Sequence, residues 1–394
     1  MSELNEVVIV SAMRTPMGGL QGCFANLSAP QLGAVAIDAC LDNINLDKAS
    51  VNEVYMGNVL SAALGQAPAR QAAIGAGIPD SVPTTTLNKV CGSGMKAVMI
   101  AADQIKLGTA EIAVAGGMES MSNAPYMLKN ARAGYRFGNN EIYDHMFLDG
   151  LQDAYSAKAM GVHAQETADE YKLSREDMDA YAISSLDRAL AAIENGWFDA
   201  EIAPITLKTR KGEEIIATDE QPQLAKPEKI PNLRPAFSKD GTITAANASS
   251  ISDGASALVL MSKEKADQLG LKVLAKVVDY TSHAQAPSTF TCAPIGAMKA
   301  LLERNALTPN DIDLVEINEA FAMVAMLGTQ EVGFDKDRVN ITGGACSLGH
   351  PLGSSGSRIL VTLIHNLIRT GKKRGMASLC IGGGEGTACI IETI

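Results

Sequence analysis

The cysteine at position 91 stands in a loop whose composition suits a reactive nucleophile. Residues 90–94 read Val-Cys-Gly-Ser-Gly and precede an amphipathic pattern with apolar residues at Met95, Val98 and Met99. A cysteine at the start of a helix meets free backbone N–H groups and the positive end of the helix dipole, which favour the thiolate. We therefore predict that Cys91 is a nucleophile with a lowered pKa, and a buried structural cysteine is the alternative.

A histidine at position 350 occupies a second glycine-flanked loop, residues 349–353, with the sequence Gly-His-Pro-Leu-Gly. If the two loops face each other across a pseudo-twofold axis, Cys91 and His350 meet as a nucleophile and its base. A lone histidine is more often structural or solvated, and we predict that role for His145, His163, His283 and His365.

Two further segments carry groups that can move protons or stabilise an oxyanion. Cys380 ends a short apolar strand, and three glycines beginning at Gly382 follow it. A phosphate-binding loop would need a lysine and a following helix, whereas here a strand follows. The glycines instead allow a ligand to approach closely and direct N–H groups at a developing negative charge. Asn318 can add an amide donor, although a buried cysteine and a turn asparagine are the alternative interpretations.

The elements that must hold these residues alternate between short β-branched runs and longer helical patterns. Strands are predicted at residues 7–10, 54–56 and 112–115, and helices at residues 34–41 and 95–105. This alternation is typical of an α/β fold, in which helices cover a sheet.

An internal repeat divides the chain. Residues 52–59 resemble residues 313–320, each an apolar run that leads to an asparagine, and a glycine-rich loop and an amphipathic helix follow in both copies. Each copy then has a strand that runs into glycines and a glutamate. We predict two similar α/β halves with an insertion in the first: residues 1–120 with 249–270, residues 121–248 as a loop domain, and residues 271–394.

Composition limits the classes of function. The 394 residues carry 33 Lys and Arg against 44 Asp and Glu, and this net charge of −11 argues against nucleic-acid binding. Seven cysteines without metal-ligand spacing argue against a disulfide framework or a zinc site. The amino terminus does not read as a signal peptide, and no run of about 18 apolar residues occurs, so we predict a cytoplasmic protein without membrane association.

An anionic ligand therefore needs a local basic patch, and the insertion offers two clusters of basic residues. One consists of Lys208, Arg210 and Lys211, and the other of Lys226, Lys229 and Arg234. Runs of this kind are usually solvated faces, so neither cluster identifies a binding site on its own.

Taken together, residues 90–94, 318–322, 343–351 and 380–384 resemble the motifs of the thiolase family, in order and over essentially the whole chain. The resemblance implies two α/β halves that form a duplicated, five-layered αβαβα core. It also implies that the inserted loop domain serves acyl-CoA binding and oligomer contacts.

The resemblance assigns a role to each candidate residue. Cys91 is expected to accept an acyl group from acyl-CoA as a thioester, with His350 as the base that activates it. Cys380 is expected to remove the α-proton of acetyl-CoA, whose carbanion then attacks the acyl-cysteine. One oxyanion hole would comprise His350 and a water held by Asn318. The other would comprise the N–H groups of Cys91 and Gly382.

The subtype that the sequence resembles is the short-chain biosynthetic one, in which two molecules of acetyl-CoA give acetoacetyl-CoA. The residues expected to bind the acyl group are Leu151, Met160, Phe237 and Phe321, with packing in the core of the insertion as the alternative. Ser249 matches a family position that contacts the pantetheine arm. One departure weakens the subtype assignment: Ala159 stands where many biosynthetic members have a histidine.

The resemblance further implies that acetyl-CoA, acetoacetyl-CoA and coenzyme A are substrates, that no metal or redox cofactor is needed, and that the chain forms a homotetramer. A broad-chain 3-ketoacyl-CoA thiolase of fatty-acid breakdown is the close alternative. A decarboxylating condensing enzyme of related fold would carry a histidine in place of Cys380. A non-catalytic, thiolase-like lipid-binding protein is the third alternative, and the presence of Cys91, Cys380 and His350 argues against it.

Overall fold

The computed structural model describes residues 4–210 and 212–394, so Lys211 of the first basic cluster lies outside the described residues. The strands are, in chain order, β1 (Val7–Arg14), β2 (Gly18–Gly19), β3 (Glu53–Gly57), β4 (Thr84–Leu87), β5 (Ile112–Ser120), β6 (Tyr126–Met127), β7 (Tyr143–Asp144), β8 (Ile205–Thr209), β9 (Gly212–Ile216), β10 (Ser252–Ser262), β11 (Ala275–Ala284), β12 (Leu314–Ile317), β13 (Arg374–Ile381) and β14 (Glu385–Thr393). The α-helices are α1 (Ala29–Asp42), α2 (Pro68–Gly75), α3 (Ser93–Lys106), α4 (Met160–Glu170), α5 (Arg175–Glu194), α6 (Glu220–Leu224), α7 (Lys263–Gln268), α8 (Ala293–Arg304), α9 (Ala322–Val332), α10 (Ala345–Leu348) and α11 (Leu352–Thr370).

The main strands form one continuous path in the order β4-β3-β5-β10-β1-β11-β14-β13-β12. The first five come from the first half of the chain and meet the second half where β1 runs antiparallel to β11. Next to β12, a parallel bridge between Val315 and Val339 stands where the first half has β4. Both halves therefore have the same strand order, and the predicted duplication is confirmed. The domain boundaries drawn from the sequence stay a prediction.

Helices lie on both faces of each half-sheet and complete five layers. The first half-sheet has α1 and α2 on its outer face, and the second has α8 and α9 on its outer face. Between the two half-sheets, α3 and α11 pack against both. On α11 five apolar side chains are completely buried: Ile359, Leu360, Leu363, Ile364 and Leu367. Burial of each such side chain contributes roughly 1.5–3 kcal/mol to folding, so this layer anchors the fold.

Small residues allow the first turns of α3 and α11 to touch. A Cβ atom on Gly94 of α3 would lie 2.7 Å from the backbone nitrogen of Ser357. A Cβ atom on Gly356 of α11 would lie 2.5 Å from the backbone nitrogen of Met95. Because only glycine permits this approach, the loops that precede the two helices come to the same end of the central layer.

The insertion is tied to the core by a buried cation. Arg14 of β1 donates hydrogen bonds to Glu201 at 2.5 Å and to both carboxylate oxygens of Asp219 at 2.7 and 2.9 Å. Removal of one partner of such a buried ion pair costs about 3–5 kcal/mol, so this contact fixes residues 201 and 219 of the insertion against the sheet. Within residues 4–210 and 212–394, no helix has the length and apolar content needed to cross a membrane.

Candidate active site

A tight turn holds Cys91 at the start of α3. Val90 has a left-handed φ of 47°, and Ser93 Oγ accepts from the N–H of Lys89 at 2.8 Å while donating to the carbonyl of Val90 at 2.6 Å. Gly92 is the N-cap residue, so the free N–H groups of the first turn lie next to Cys91. The side chain of Cys91 is 9% exposed.

The electrostatics of Cys91 differ from the sequence-based expectation. Burial raises the pKa of the Cys91 thiol to about 11, although the N–H groups of Gly382 and of Cys91 itself act in the opposite direction. The negative charge of Glu119 adds a small further increase to this pKa. The prediction of a lowered pKa is therefore wrong for the free protein, because desolvation of the thiolate outweighs the donors at the helix start. Cys91 consequently needs a base.

His350 lies in the loop before α11 in a form that can accept a proton. Its Nδ1 is 2.5 Å from Ser355 Oγ, and that hydroxyl donates to the carbonyl of Pro351 at 3.0 Å. Ser355 Oγ therefore accepts from Nδ1–H, which leaves the lone pair on Nε2. Burial, with a smaller contribution from the charge of Arg358, lowers the pKa of His350 to about 3. The imidazole is thus neutral near pH 7.

Asn318 and His350 form one polar corner. Asn318 follows β12, and its Nδ2 lies 3.5 Å from His350 Nε2. Its backbone N–H donates to the carbonyl of Ser378 at 2.9 Å, which fixes the loop against β13. Among the described residues, no group hydrogen bonds to the buried Oδ1 of Asn318.

Cys380 is completely buried near the end of β13, opposite Gly386 of β14. Burial and the neighbouring Cys91 raise the pKa of Cys380 well above the usual range for a thiol. The turn that follows contains Gly383 and Gly384 with φ values of 91° and 90°, which glycine adopts without strain. This turn brings the N–H of Gly382 to Cys91.

A cavity of about 460 Å³ brings most of the predicted site residues together. Its walls include Cys91, His350, Gly382, Leu151, Met160, Phe237, Ser249 and Phe321. Cys380 and Asn318 do not line the cavity; each lies behind a residue that does, Cys380 beside Cys91 and Asn318 beside His350. The volume falls in the lower half of the usual range for small-molecule sites.

Aromatic rings close one side of this cavity. The rings of Phe237 and Phe290 meet Phe321 edge to face, with centroids 6.3 and 6.5 Å apart. The ring of Phe237 also packs on Gly161, where a Cβ atom would lie 2.1 Å from the ring. Phe290 was missed from the sequence, as were Phe147 and Leu352, which line the same cavity. Their apolar character alone does not distinguish a cavity wall from a core.

Two buried carboxylates near the site were also missed. Glu319 accepts hydrogen bonds from Tyr181 at 3.0 Å, from Ser185 at 2.7 Å and from the N–H of Cys346 at 3.0 Å. Glu119 lies at the end of β5 and is fully buried. The available signal was a glutamate inside an otherwise apolar or glycine-rich strand end.

A second cavity of about 300 Å³ adjoins the first, because Ala245 and Ser250 line both. Its walls include Lys226 and Lys229 of the second basic cluster. Arg234 lines neither of these two cavities, nor does Lys208, which lies on β8. Within the described ranges, no group of three or more His, Cys, Asp or Glu side chains is arranged to hold a metal ion.

Comparison with known proteins agrees with this architecture. Residues 7–264 match the family model of the thiolase N-terminal domain, and residues 271–393 match that of the thiolase C-terminal domain. The acetyl-CoA acetyltransferase of Pseudomonas aeruginosa is 49% identical over 387 residues, covering 98% of each chain. Acetyl-CoA acetyltransferase 1 of Arabidopsis thaliana is 50% identical, covering 98% of this chain and 94% of the relative.

Two solved structures are similar over nearly the whole chain. The Acat5 thiolase of Ascaris suum in complex with coenzyme A has a TM-score of 0.93 at 43% identity, covering 99% of this chain and 100% of the other. The acetyl-CoA acetyltransferase of Bacillus anthracis has a TM-score of 0.97 at 40% identity, covering 100% of both chains. The chain belongs to the thiolase family.

Proposed function

We propose that this protein is an acetyl-CoA acetyltransferase. It condenses two molecules of acetyl-CoA to acetoacetyl-CoA and coenzyme A, and it catalyses the reverse thiolysis. The observation that carries the proposal is the shared cavity, in which a buried thiol, a neutral imidazole and an apolar wall of modest volume face one space. Relatives that carry this name over nearly the full chain support it.

In the first step Cys91 attacks the thioester carbon of acetyl-CoA. Its proton passes to Nε2 of His350, whose lone pair is free because Nδ1–H donates to Ser355. The bond between the carbonyl carbon and the sulfur of coenzyme A breaks, and the leaving thiolate takes that proton. The product is acetyl-Cys91 with His350 neutral again.

In the second step the proton of Cys380 passes to Nε2 of His350, and the resulting Cys380 thiolate removes an α-proton from another acetyl-CoA, whose carbanion attacks acetyl-Cys91. The order of the steps has an electrostatic reason. A Cys91 thiolate would oppose ionisation of Cys380, whereas a thioester at Cys91 is neutral and removes that opposition. Expulsion of Cys91 as a thiolate releases acetoacetyl-CoA. Cys91 then takes the proton from His350, while Cys380 keeps the α-proton, so all three groups return to their neutral forms.

Both steps place negative charge on a carbonyl oxygen. Asn318 and protonated His350, which share one corner, would stabilise the enolate, with a water held by Asn318. The N–H groups of Cys91 and Gly382 would stabilise the oxyanion formed at the acyl-cysteine. Removal of one such donor costs enzymes roughly 3–4 kcal/mol of transition-state stabilisation. The chemistry that these side chains supply needs no metal or redox cofactor.

Coenzyme A would run from the first cavity into the second. The pantetheine arm passes Ser249, and the phosphates reach Lys226 and Lys229 in the adjoining cavity. A chain with a net charge of −11 can attract a strongly anionic ligand only through a local positive potential, which these two lysines supply.

The assembly is proposed to be a homotetramer. Strand β4 lies at the end of the sheet path, so its edge is available for pairing with another chain. Around the β6–β7 hairpin, Tyr126, Phe137 and Ile142 are exposed, an arrangement typical of an interface. All seven cysteines are free thiols, which suits the reducing cytoplasm in which we place the protein and its role in fatty-acid metabolism.

One observation favours the broad-chain alternative. Ala159 lines the acyl cavity at the position where many biosynthetic members have a histidine, so this wall leaves more room than theirs. A cavity of about 460 Å³ must also hold part of the pantetheine arm, and we infer that the space left suits a short acyl group better.

A chain-length series tests the proposal. Thiolysis of 3-ketoacyl-CoA substrates from four to sixteen carbons is measured on the purified protein, together with condensation of acetyl-CoA. We expect the highest kcat/KM for acetoacetyl-CoA. The variant Ala159→His should lower kcat/KM for six- and eight-carbon substrates more than for acetoacetyl-CoA, because the imidazole fills the wall.

Higher kcat/KM for substrates of eight or more carbons would replace the proposal by the broad-chain alternative. Complete lack of CoA-dependent thiolysis by folded protein would favour the lipid-binding alternative.

A further inference from the structure

The two halves of the sheet can be compared residue by residue at the ends of equivalent strands. In the first half, Gly57 is the last residue of β3 and pairs with Gly117 of β5. Asn58 is the next residue after β3, and Glu119 stands two positions after Gly117 on β5.

The second half has the same register. Ile317 is the last residue of β12 and pairs with Ser378 of β13. Asn318 is the next residue after β12, and Cys380 stands two positions after Ser378. Glu119 therefore occupies in the first half the position that Cys380 occupies in the second. The strand end that carries the Cys380 thiol in the second half therefore carries a carboxylate in the first half.

Glu119 makes four hydrogen bonds, and all of them go to neutral donors. Its Oε1 accepts from Asn58 Nδ2 at 2.8 Å and from the N–H of Leu60 at 3.1 Å. Its Oε2 accepts from the N–H of Val59 at 3.0 Å and from the N–H of Gly353 at 2.8 Å. The carboxylate thus connects the loop after β3, in the first half, with the first turn of α11, in the second.

Gly353 lies three residues after His350, at the amino terminus of α11, where a negative charge also interacts favourably with the helix dipole. The contact leaves little room for displacement. A Cβ atom on Gly117 would lie 1.9 Å from the carbonyl oxygen of Gly353, and one on Gly353 would lie 3.0 Å from Glu119 Oε2. The loop that carries His350 is therefore seated directly on the end of β5.

Burial of this carboxylate has a thermodynamic cost. Burial raises the pKa of Glu119 to about 7, although the N–H groups of Leu60, Val59 and Gly353 lower it, and Asp253 adds a further increase. No cation contacts Glu119 among the hydrogen bonds and ion pairs of the described residues. A buried carboxylate without a cation contributes little to stability, so the role of Glu119 is sought in the segments that it connects.

We propose that Glu119 is a positioning residue, which holds the His350 loop so that Nε2 of His350 stays in line to take the proton of Cys91. The proposal rests on the roles assigned to Cys91 and His350 under the proposed function. Glu119 acts through His350, since it contacts the helix start behind the imidazole and does not line the cavity.

The test uses the rate at which iodoacetamide alkylates Cys91 in the full-length protein, measured by mass spectrometry. This reaction needs the thiolate but not acetyl-CoA. Glu119→Gln keeps the size of the side chain and replaces one acceptor oxygen by a donor that opposes the N–H groups. Loss of the Glu119 charge by itself lowers the pKa of Cys91 and would speed alkylation, so a slower reaction reports the loss of positioning. We expect alkylation of Cys91 and kcat for thiolysis to fall about 10²-fold, the effect typical of a misplacement of about 1 Å, with KM changed less than about threefold.

A double-mutant cycle separates positioning from general destabilisation. In the His350→Ala background, Glu119→Gln should slow alkylation less than about twofold, because the group that it positions is absent. Glu119→Asp should recover part of the rate. Asp253→Asn is the matched control, because it removes a fully buried charge that raises the pKa of Glu119 but breaks no hydrogen bond of Glu119. Asp253 accepts from the N–H of Ser122 and not from the His350 loop. We expect it to retain the wild-type rate.

Equal slowing by Glu119→Gln with and without His350, in protein whose circular dichroism is unchanged, would overturn the proposal. So would a Glu119→Gln variant that matches Asp253→Asn in both rates. If Glu119→Gln does not fold, the double-mutant cycle is measured with Glu119→Asp in its place. Wild-type protein that is alkylated at Cys91 but has no thiolase activity would count against the proposed function and leave the cycle interpretable.

Discussion

The two halves of the sheet have the same strand order and the same register, yet equivalent loops and strand ends carry side chains of different chemistry. The loop before α3 holds Cys91, and the equivalent loop before α11 holds His350. At the strand ends, the second half has Asn318 and Cys380 where the first has Asn58 and Glu119. Duplication thus supplies two equivalent strand ends. In the roles proposed above, one pair of residues serves proton transfer and oxyanion stabilisation, and the other pair holds the loops.

Burial acts in opposite directions on the two loop residues. It raises the pKa of Cys91 to about 11 and lowers that of His350 to about 3, so both are neutral in the free protein at pH 7. Two charged groups would lose favourable hydration on burial, so a charged pair here would cost free energy of folding. In the proposed first step this pair becomes charged only when substrate is bound, so the resting protein does not bear the cost of burying two charges.

The largest expected effect comes from the two cysteines. Cys91→Ala should lower thiolysis and condensation more than 10⁴-fold, because the acyl group has no acceptor. Cys380→Ser should still become acetylated at Cys91 by acetyl-CoA but should not condense. Mass spectrometry of each variant after incubation with acetyl-CoA separates the two steps, and Cys23→Ser serves as a half-buried control outside the cavity. An unacetylated Cys380→Ser protein would contradict the division of roles.

The next largest effect tests the equivalent asparagines. Asn318→Ala removes the donor that shares a corner with His350, and kcat should fall about 10²–10³-fold. Asn58→Ala removes only one of the four donors to Glu119, and the loss should stay below about tenfold. Both are buried amides at the end of equivalent strands, so each is the control for the other. Similar losses of kcat in the two variants would mean that the two strand ends are not functionally distinct.

Much of the fold could be predicted because its signals are local. The strand expected at residues 54–56 is β3, and the helix expected at 95–105 is α3. Strand β4 was not predicted, because its sequence Thr-Thr-Thr-Leu lies at a sheet edge and shows no apolar alternation. The third strand of the second half is reduced to one bridge at Val339, which leaves no periodic pattern to detect.

The site could be predicted where the residue type itself carries the chemistry, as for Cys91 and His350. Glu119 could not be identified, because three of its four donors are backbone N–H groups from segments distant in the chain. The pKa of Cys91 was predicted in the wrong direction for a related reason. The helix start is visible in the sequence, whereas the desolvation that outweighs it is produced by tertiary packing.

A smaller effect is expected from the insertion, which only the first half contains. Lys226→Ala with Lys229→Ala should raise KM for coenzyme A about tenfold and leave kcat nearly unchanged, because the phosphates lie far from the reacting carbon. The increase should shrink at high salt, where the wild-type attraction is screened. Lys263→Ala is the control, since Lys263 pairs with Asp267 on α7 away from both cavities. An unchanged KM for coenzyme A would mean that its phosphates do not bind in the second cavity.

The smallest effect concerns pH and tests whether His350 is neutral. A group with a folded pKa of about 3 and an unfolded value near 6.5 binds fewer protons when folded, so its contribution to stability is complete above about pH 6.5 and is lost as pH falls toward 3. The melting temperature of wild type should therefore fall relative to His350→Ala between pH 7 and pH 5. Over the same interval kcat/KM for thiolysis should change less than about twofold through this group, because the imidazole stays unprotonated. An acid limb with a midpoint near 6.5, together with a constant difference in melting temperature, would mean that His350 titrates as an exposed histidine and that burial does not hold it ready as a base.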